Sequence, residues 1–598
     1  MTAVAERDDA AVAQEAPPSH PGRDRRADLL MLATCVAGGL YLTFAMWLDP
    51  YHRVIGHNQG DQALFEWLLS YAAHSVTHGT DPLWTTLLNY PVGANLAVNT
   101  SMIVMGTVLA PVTLTLGAPI SFLVVLTLNL ILTPYAWYHL LSRHVVRTRA
   151  AAVLGGLFCG YAPGIVSHAN GHLNFTSGFL APLIAWRLIR LREPGRAWRN
   201  GVVLGLLLVV QFSMAAELTF FIGLATALFI LFWSLLHRDR VRAAAPAFLR
   251  GLGVTAIVAG ACLAYPLYMQ FAGPQRYQGI GFNQGVHSED LAAFAALPYL
   301  SLGRLVGPWG RLAPNWSEET TFFGPALLVL ALVCLGVLWR NRGVRALGVT
   351  GLVLTVIALG PRLKWEGIRT PVPLPYAALA RLPIFDSALP ARFALMIIPI
   401  VGILLGLGLD RARELPVWPR RTWLAAFVVA LLPVVPLWIP AAPRDAVPRF
   451  FASGDYRKYV HSGQTLVPVP PASDLLPDGQ RWQAATNFGF AIPHGFFLGP
   501  GPDGRSQIGP TYPRPTDDLL TTIALHDNVD PTLTDADRYY AQEDLAYWQA
   551  SLIVLSDGGA GSRWTARHDT LLRVCTDLFG PPQRVDDVYL WQVANPPG

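Results

Sequence analysis

The chain has 598 residues, of which 52% are hydrophobic and only 14% charged, with a mean hydropathy of +0.37. A soluble domain carries about 25% charged residues, so this chain has too few to cover a water-facing surface. A net charge of +5 would suit a nucleic-acid partner. The arginines, however, sit in short clusters between apolar runs, where they act as topology determinants, and no nucleic-acid partner is expected. The 5 cysteines show neither a disulfide framework nor metal-ligand spacing.

In chain order, residues 1–27 are Ala-, Pro- and charge-rich without apolar periodicity, which predicts a disordered cytoplasmic tail. Residues 28–48 form a first span, an uncleaved signal anchor with Arg23, Arg25 and Arg26 on its cytoplasmic flank. An outer loop at 49–102 follows, too long for a connector. Near its start lies Asp61, within Gln59-Gly60-Asp61-Gln62. The apolar stretch 103–117 is short and holds Pro111, so it reads as a juxtamembrane or re-entrant helix.

Further spans are expected at 119–141, 150–163, 175–191, two within 201–236, then 251–270, 322–339, 344–360, 393–409 and 422–440. That gives about 11 apolar runs of membrane-spanning length, with every compact Arg cluster on one side. The outer side receives the loop 163–174, the tip 211–217, and the loops 271–320 and 361–390. Residues 441–598 are polar, with β-branched runs at 465–469, 551–555 and 588–593 and helical patterns around 536–550 and 567–579. This predicts a small α/β domain, placed outside by an odd number of spans. The fold class is therefore an α-helical polytopic membrane protein of the plasma membrane. It comprises a tail (1–27), a transmembrane domain (28–440) and an extracytoplasmic α/β domain (441–598).

With its long loops outside, a transferase of this layout would work away from nucleotide sugars and need a donor already activated in the membrane. A carboxylate would take the proton of the acceptor hydroxyl, and cations would stabilise the leaving phosphate. Asp61 suits the first task, although it also reads as the N-cap of a helix at 62–78. Gln62 is a candidate to bind substrate; His168, His172 and Asn174, with Asn170, could hydrogen-bond sugar hydroxyls and read equally as loop polar residues. Glu217, within apolar sequence, is costly unless partnered and is a candidate to line the active cavity and bind substrate. Arg276, Arg362 and Arg392 are candidates for a lipid phosphate or for headgroup contacts. Glu318 and Glu319 read as markers of the outer membrane boundary. His74 and His78 are spaced for a metal but lack a third ligand; no metal or other cofactor is indicated, and a divalent cation is compatible.

The layout resembles the GT-C superfamily of polyprenyl-phosphate-sugar-dependent membrane glycosyltransferases. The resemblance rests on Gly60-Asp61-Gln62 early in a large first outer loop, Asn89-Tyr-Pro-Val-Gly-Ala-Asn95, and Leu141-Ser-Arg143-His-Val-Val-Arg147. Gly171-His172-Leu-Asn174 and Leu389-Pro-Ala-Arg392-Phe are similar to a bacterial subgroup. Together they cover about residues 28–440, and Ala/Arg/Gly/Pro-heavy usage suggests an actinobacterium. The resemblance implies a hexosyl- or pentosyltransferase with Asp61 as general base and a polyprenyl-phosphate sugar as donor. Its acceptor would be a glycan, lipid or protein of the cell envelope. Gln62 stands where many members carry a second carboxylate. Two other readings stay open, a transporter or flippase of lipid-linked substrate and a non-catalytic scaffold for envelope assembly.

Overall fold

The computed structural model describes residues 24–306, 312–527, 529–558 and 565–593. Residues 1–23 of the expected tail therefore lie outside the described residues. The first span begins at Arg25, because the Asp24 side chain accepts from the Arg26 and Ala27 N–H groups and caps the helix Arg25–Trp47.

Every expected apolar segment contains a helix, but fewer are membrane-long than expected. Among the described residues, eight helices are long and apolar enough to cross a membrane. Ala181–Arg190, Pro325–Val337 and Arg342–Ala358 have only 10, 13 and 17 residues. In the first two, proline in the first turn sets a late start, so apolar residues that had counted toward the span lie in turns. The 103–117 stretch is two short helices, Ile103–Val108 and Ala110–Leu116, as its length implied. The 201–236 run breaks at Ala215 into Ala197–Met214 and Ala216–Leu236.

The bundle packs closely where small residues allow it. A Cβ at Gly155 would lie 2.8 Å from the Gly402 carbonyl oxygen, so the helices Arg149–Tyr161 and Ile397–Arg411 touch backbone to backbone there. Polar ties gather the arginine-rich ends. Arg143 pairs with Asp28 at 2.8 Å, Arg147 with Glu414 at 3.2 Å, and Thr148 donates to Asp410 at 2.6 Å.

The long loops meet the C-terminal residues at the other end. The first loop contains the helix Gln59–His78, buried along most of its length. Arg53–Ile55 pairs antiparallel with Ala441–Pro443. The Trp67 indole donates to Gln483 at 2.7 Å, and Gln483 donates to the Leu87 carbonyl at 2.6 Å.

The expected α/β unit is a four-stranded sheet ordered Gln583–Val585, Val588–Gln592, Ala550–Ser556, Thr465–Val469. Its last pair is parallel and the others antiparallel. Strand alternation sends Val467, Val469, Ile553 and Leu555 into a core with Leu545, Leu571 and Val574 from the helices. Leu466, Leu552, Val554 and Leu590 point the other way, into the core shared with the first loop. The sheet is thus buried on both faces.

Arg444 joins the two parts. Its side chain is 4% exposed, donates to both Glu66 oxygens at 2.8 and 3.0 Å, and reaches the Pro50 and Tyr51 carbonyls. Removing one partner of a buried pair costs about 3–5 kcal/mol, whereas replacing both by apolar groups is often neutral. Arg444→Met should therefore lower the unfolding temperature in detergent sharply, and the double variant with Glu66→Leu should recover most of the loss.

Candidate active site

Asp61 stands in the first turn of Gln59–His78, but Asn58 rather than Asp61 is the N-cap residue. The carboxylate is thereby spared from capping. Asn58 Nδ2 donates to Asp61 Oδ2. Facing it is the turn after the helix Pro163–His168, where Gly171 has φ +134° and a Cβ would collide with the Asn58 side chain. Glycine is needed there on both counts, and the turn delivers His172 with Nε2 3.3 Å from Asp61 Oδ2.

From His172 the polar chain continues inward. Its Nδ1 lies 2.9 Å from His168 Nδ1 and 3.8 Å from Glu318 Oε1. Glu318, 2% exposed, accepts from Arg392 Nη2 at 2.6 Å and Nε at 3.1 Å. Arg392 Nη1 reaches Glu217 Oε2 at 3.1 Å, and its guanidinium lies 4.7 Å above the Phe175 ring. The His168 Nε2 is 3.5 Å from Thr320 Oγ1. One proton placement joins Thr320 to Asp61: Thr320 donates to His168, His168 Nδ1–H to His172 Nδ1, and His172 Nε2–H to Asp61.

Burial and charge set the loop carboxyls apart. Burial pushes Glu318 up, but Arg392, His172 and His168 outweigh it and hold the carboxylate far below its ordinary range. Glu289 lacks such a partner, and burial lifts it to about 8 although Thr321 donates to it. Burial likewise raises Glu319 to about 7 while it accepts the Tyr299 N–H. Asp474, whose carbonyl oxygen packs against Gly60, is raised by burial and further by the charge of Asp61.

Of the residues expected from sequence, Asp61, His168, His172, Glu217 and Arg392 converge. Gln62 instead accepts the Ile55 N–H and donates to Glu66, which fixes the loop. Asn174 is buried in the short helix Leu173–Thr176. Asn170 is also buried, with neither side-chain polar atom hydrogen-bonded. Exposed Arg276 donates to the Phe271 carbonyl, and Arg362 lies exposed on the hairpin strand Arg362–Trp365. His74 and His78 stack ring on ring at 4.1 Å.

Sequence reasoning missed Glu318 as a site member, and also Asp474, Arg304 and an aromatic group. Trp316 packs on Tyr299 at 4.0 Å and on His57 at 5.6 Å, one residue from Asn58, and Arg304 lies 4.4 Å over Tyr299. The local signal was Trp316-Ser-Glu318-Glu319-Thr-Thr321, a dense polar run directly before an apolar helix. His168, His172 and Glu318 also offer donor atoms within 4.8 Å of one another. Their separations of 2.9 and 3.8 Å suit an ion with bonds of about 2.0–2.2 Å.

No family model and no curated protein matches the chain. Among solved structures, the arabinofuranosyltransferase AftD from Mycobacteria is similar with a TM-score of 0.55 and 14% identity, over 96% of this chain and 40% of that one. The chain spans about two fifths of that protein's length. The oligosaccharyltransferase AglB from Archaeoglobus fulgidus, solved with an inhibitory peptide and a dolichol-phosphate, gives a TM-score of 0.49 at 12% identity over 89% and 70% of the two chains. ArnT from Cupriavidus metallidurans, bound to undecaprenyl phosphate, gives 0.45 at 13% over 95% and 98%. The chain is a multi-pass membrane protein with a GT-C fold.

Two measurements test the site. The folded value of Glu289 is raised, so its stability contribution is full below about 4.5 and lost as pH rises toward 8. The unfolding temperature should fall over that window, and Glu289→Gln should flatten the fall, by roughly 1–3 kcal/mol at the alkaline end. In calorimetric titration with Mn²⁺ or Zn²⁺, His172→Ala should weaken binding by about 10-fold or more.

Proposed function

We propose that the protein is a membrane glycosyltransferase that moves a sugar from a polyprenyl-phosphate donor to an acceptor hydroxyl of a cell-envelope glycan, lipid or protein. The single observation that carries this reading is the contact of Asp61 with His172, backed by the ion-pair chain Glu318–Arg392–Glu217, of which Glu318 is buried. A fold shared with an arabinofuranosyltransferase supports it.

In this reading the acceptor oxygen attacks the anomeric carbon while the bond from that carbon to the phosphate oxygen breaks. The acceptor proton passes to Asp61, and the leaving polyprenyl phosphate carries away the bond's electron pair. His172 orients Asp61 through its N–H. His168, fully buried, acts through His172 rather than on the sugar. Arg392 is already shared by two carboxylates, so its part is to hold Glu318. Arg304 has no carboxylate partner among the described residues and is the better cation for the phosphate. A divalent ion held by His168, His172 and Glu318 would add positive charge to a carboxylate-rich centre. The Trp316 and Tyr299 rings offer an apolar face to a sugar. Orientation follows the arginine clusters, with the site and the C-terminal domain outside.

The test uses protein in sealed vesicles with the site end outward, labelled polyprenyl-phosphate sugars in the membrane, and acceptor supplied outside. Wild type should release or transfer sugar, and Asp61→Asn should lose about 10²–10⁴-fold in rate with an unchanged unfolding temperature. Equal turnover in both, or turnover only when acceptor is inside, would remove Asp61 or the orientation from this account.

A further inference from the structure

A cavity of about 1190 Å³ runs inside the helical bundle. Along Ala216–Leu236 it is lined from Leu218 to Ser234, about 24 Å at ~1.5 Å per residue. One end lies at Leu218, next to Glu217, and at Phe175, the ring beneath Arg392. The other end is bounded by Trp186, Arg190, Arg192, Glu193 and Arg240, and the wall between is mostly apolar. At that mouth Arg190 is engaged, binding Glu193 at 2.9 and 3.0 Å and lying 5.0 Å over Trp186. Arg192 and Arg240 are exposed and have no hydrogen-bond or ion-pair partner among the described residues. Three arginines against one glutamate leave the mouth strongly cationic.

A corridor that held only the tail of a lipid donor reacting at the Asp61 end would need no cations at its far end. An apolar passage closed by uncompensated guanidinium groups matches a molecule with a hydrocarbon chain and an anionic head. We infer that the arginine mouth binds the phosphodiester headgroup of an anionic phospholipid from the adjacent leaflet, with an acyl chain inside the corridor. The dimensions agree. One leaflet contributes about half of a ~30 Å hydrocarbon core, ~15 Å, which leaves roughly 9 Å of the corridor free beside Phe175 and Arg392. The inference goes beyond the transferase reading, because binding here requires neither donor nor acceptor.

The experiment is native mass spectrometry of the full chain in mild detergent, titrated with phosphatidylglycerol and with phosphatidylcholine of the same acyl chains. Phosphatidylglycerol should be retained at about tenfold lower concentration than phosphatidylcholine. Arg192→Glu with Arg240→Glu should abolish that preference, and Arg192→Lys with Arg240→Lys should keep it. Ala185→Trp, which narrows the corridor, should lower phosphatidylglycerol retention without touching the mouth. Equal retention of the two lipids, an unchanged preference after charge reversal, or indifference to Ala185→Trp would each overturn the proposal. Displacement of phosphatidylglycerol by one equivalent of polyprenyl phosphate would overturn it as well, since the corridor would then belong to that lipid alone.

Discussion

The half-buried guanidinium of Arg392 is the constraint on which the centre of this molecule depends. Drawing one cation and two carboxylates largely out of water is costly unless their hydrogen bonds are nearly complete. Arg392 meets that condition with Glu318 on one side, Glu217 on the other and the Phe175 ring beneath. Each partner belongs to a different element, so the pairing sets the start of the Ala216–Leu236 helix, the loop before Pro325–Val337 and the turn Pro390–Met396 relative to one another. Because Glu318 is held this way, His172 has a carboxylate behind it and Asp61 in front.

The outer part of the site depends on a second buried ion pair. Arg444 and Glu66 hold the C-terminal residues against the helix that begins with Asp61. The same docking lays the Asp474 carbonyl against Gly60 and raises the Asp474 carboxyl by burial and further by the charge of Asp61. The α/β unit is therefore a wall of the site as well as an appended domain, which explains why its sheet is buried on both faces.

Charge divides between the two ends of one cavity. At the site end carboxylates outnumber cations, and at the other arginine is in excess. Apolar side chains between them keep the two ends electrically separate and leave a passage of lipid-like chemistry.

The membrane class, the order of the helices and the short strands of the C-terminal unit were legible in the sequence, because hydrophobic length and alternation are local properties. Asp61 was legible as a polar residue early in a long loop, and Glu217 as a carboxylate that needed a partner. The identity of that partner was not legible, since Arg392 is brought to it only by packing of distant helices. Nor was the role of Glu318, which local context assigned to a membrane boundary, or the relay through His168 and His172 to Asp61, which depends on the Gly171 turn meeting Asn58. Helix ends also escaped, since hydropathy counts apolar residues whether they sit in a helix or in the turn before a proline. The sequence by itself determined the solvent each segment prefers. Tertiary structure alone decided which charges meet, because buried charges are satisfied by partners far away in the chain.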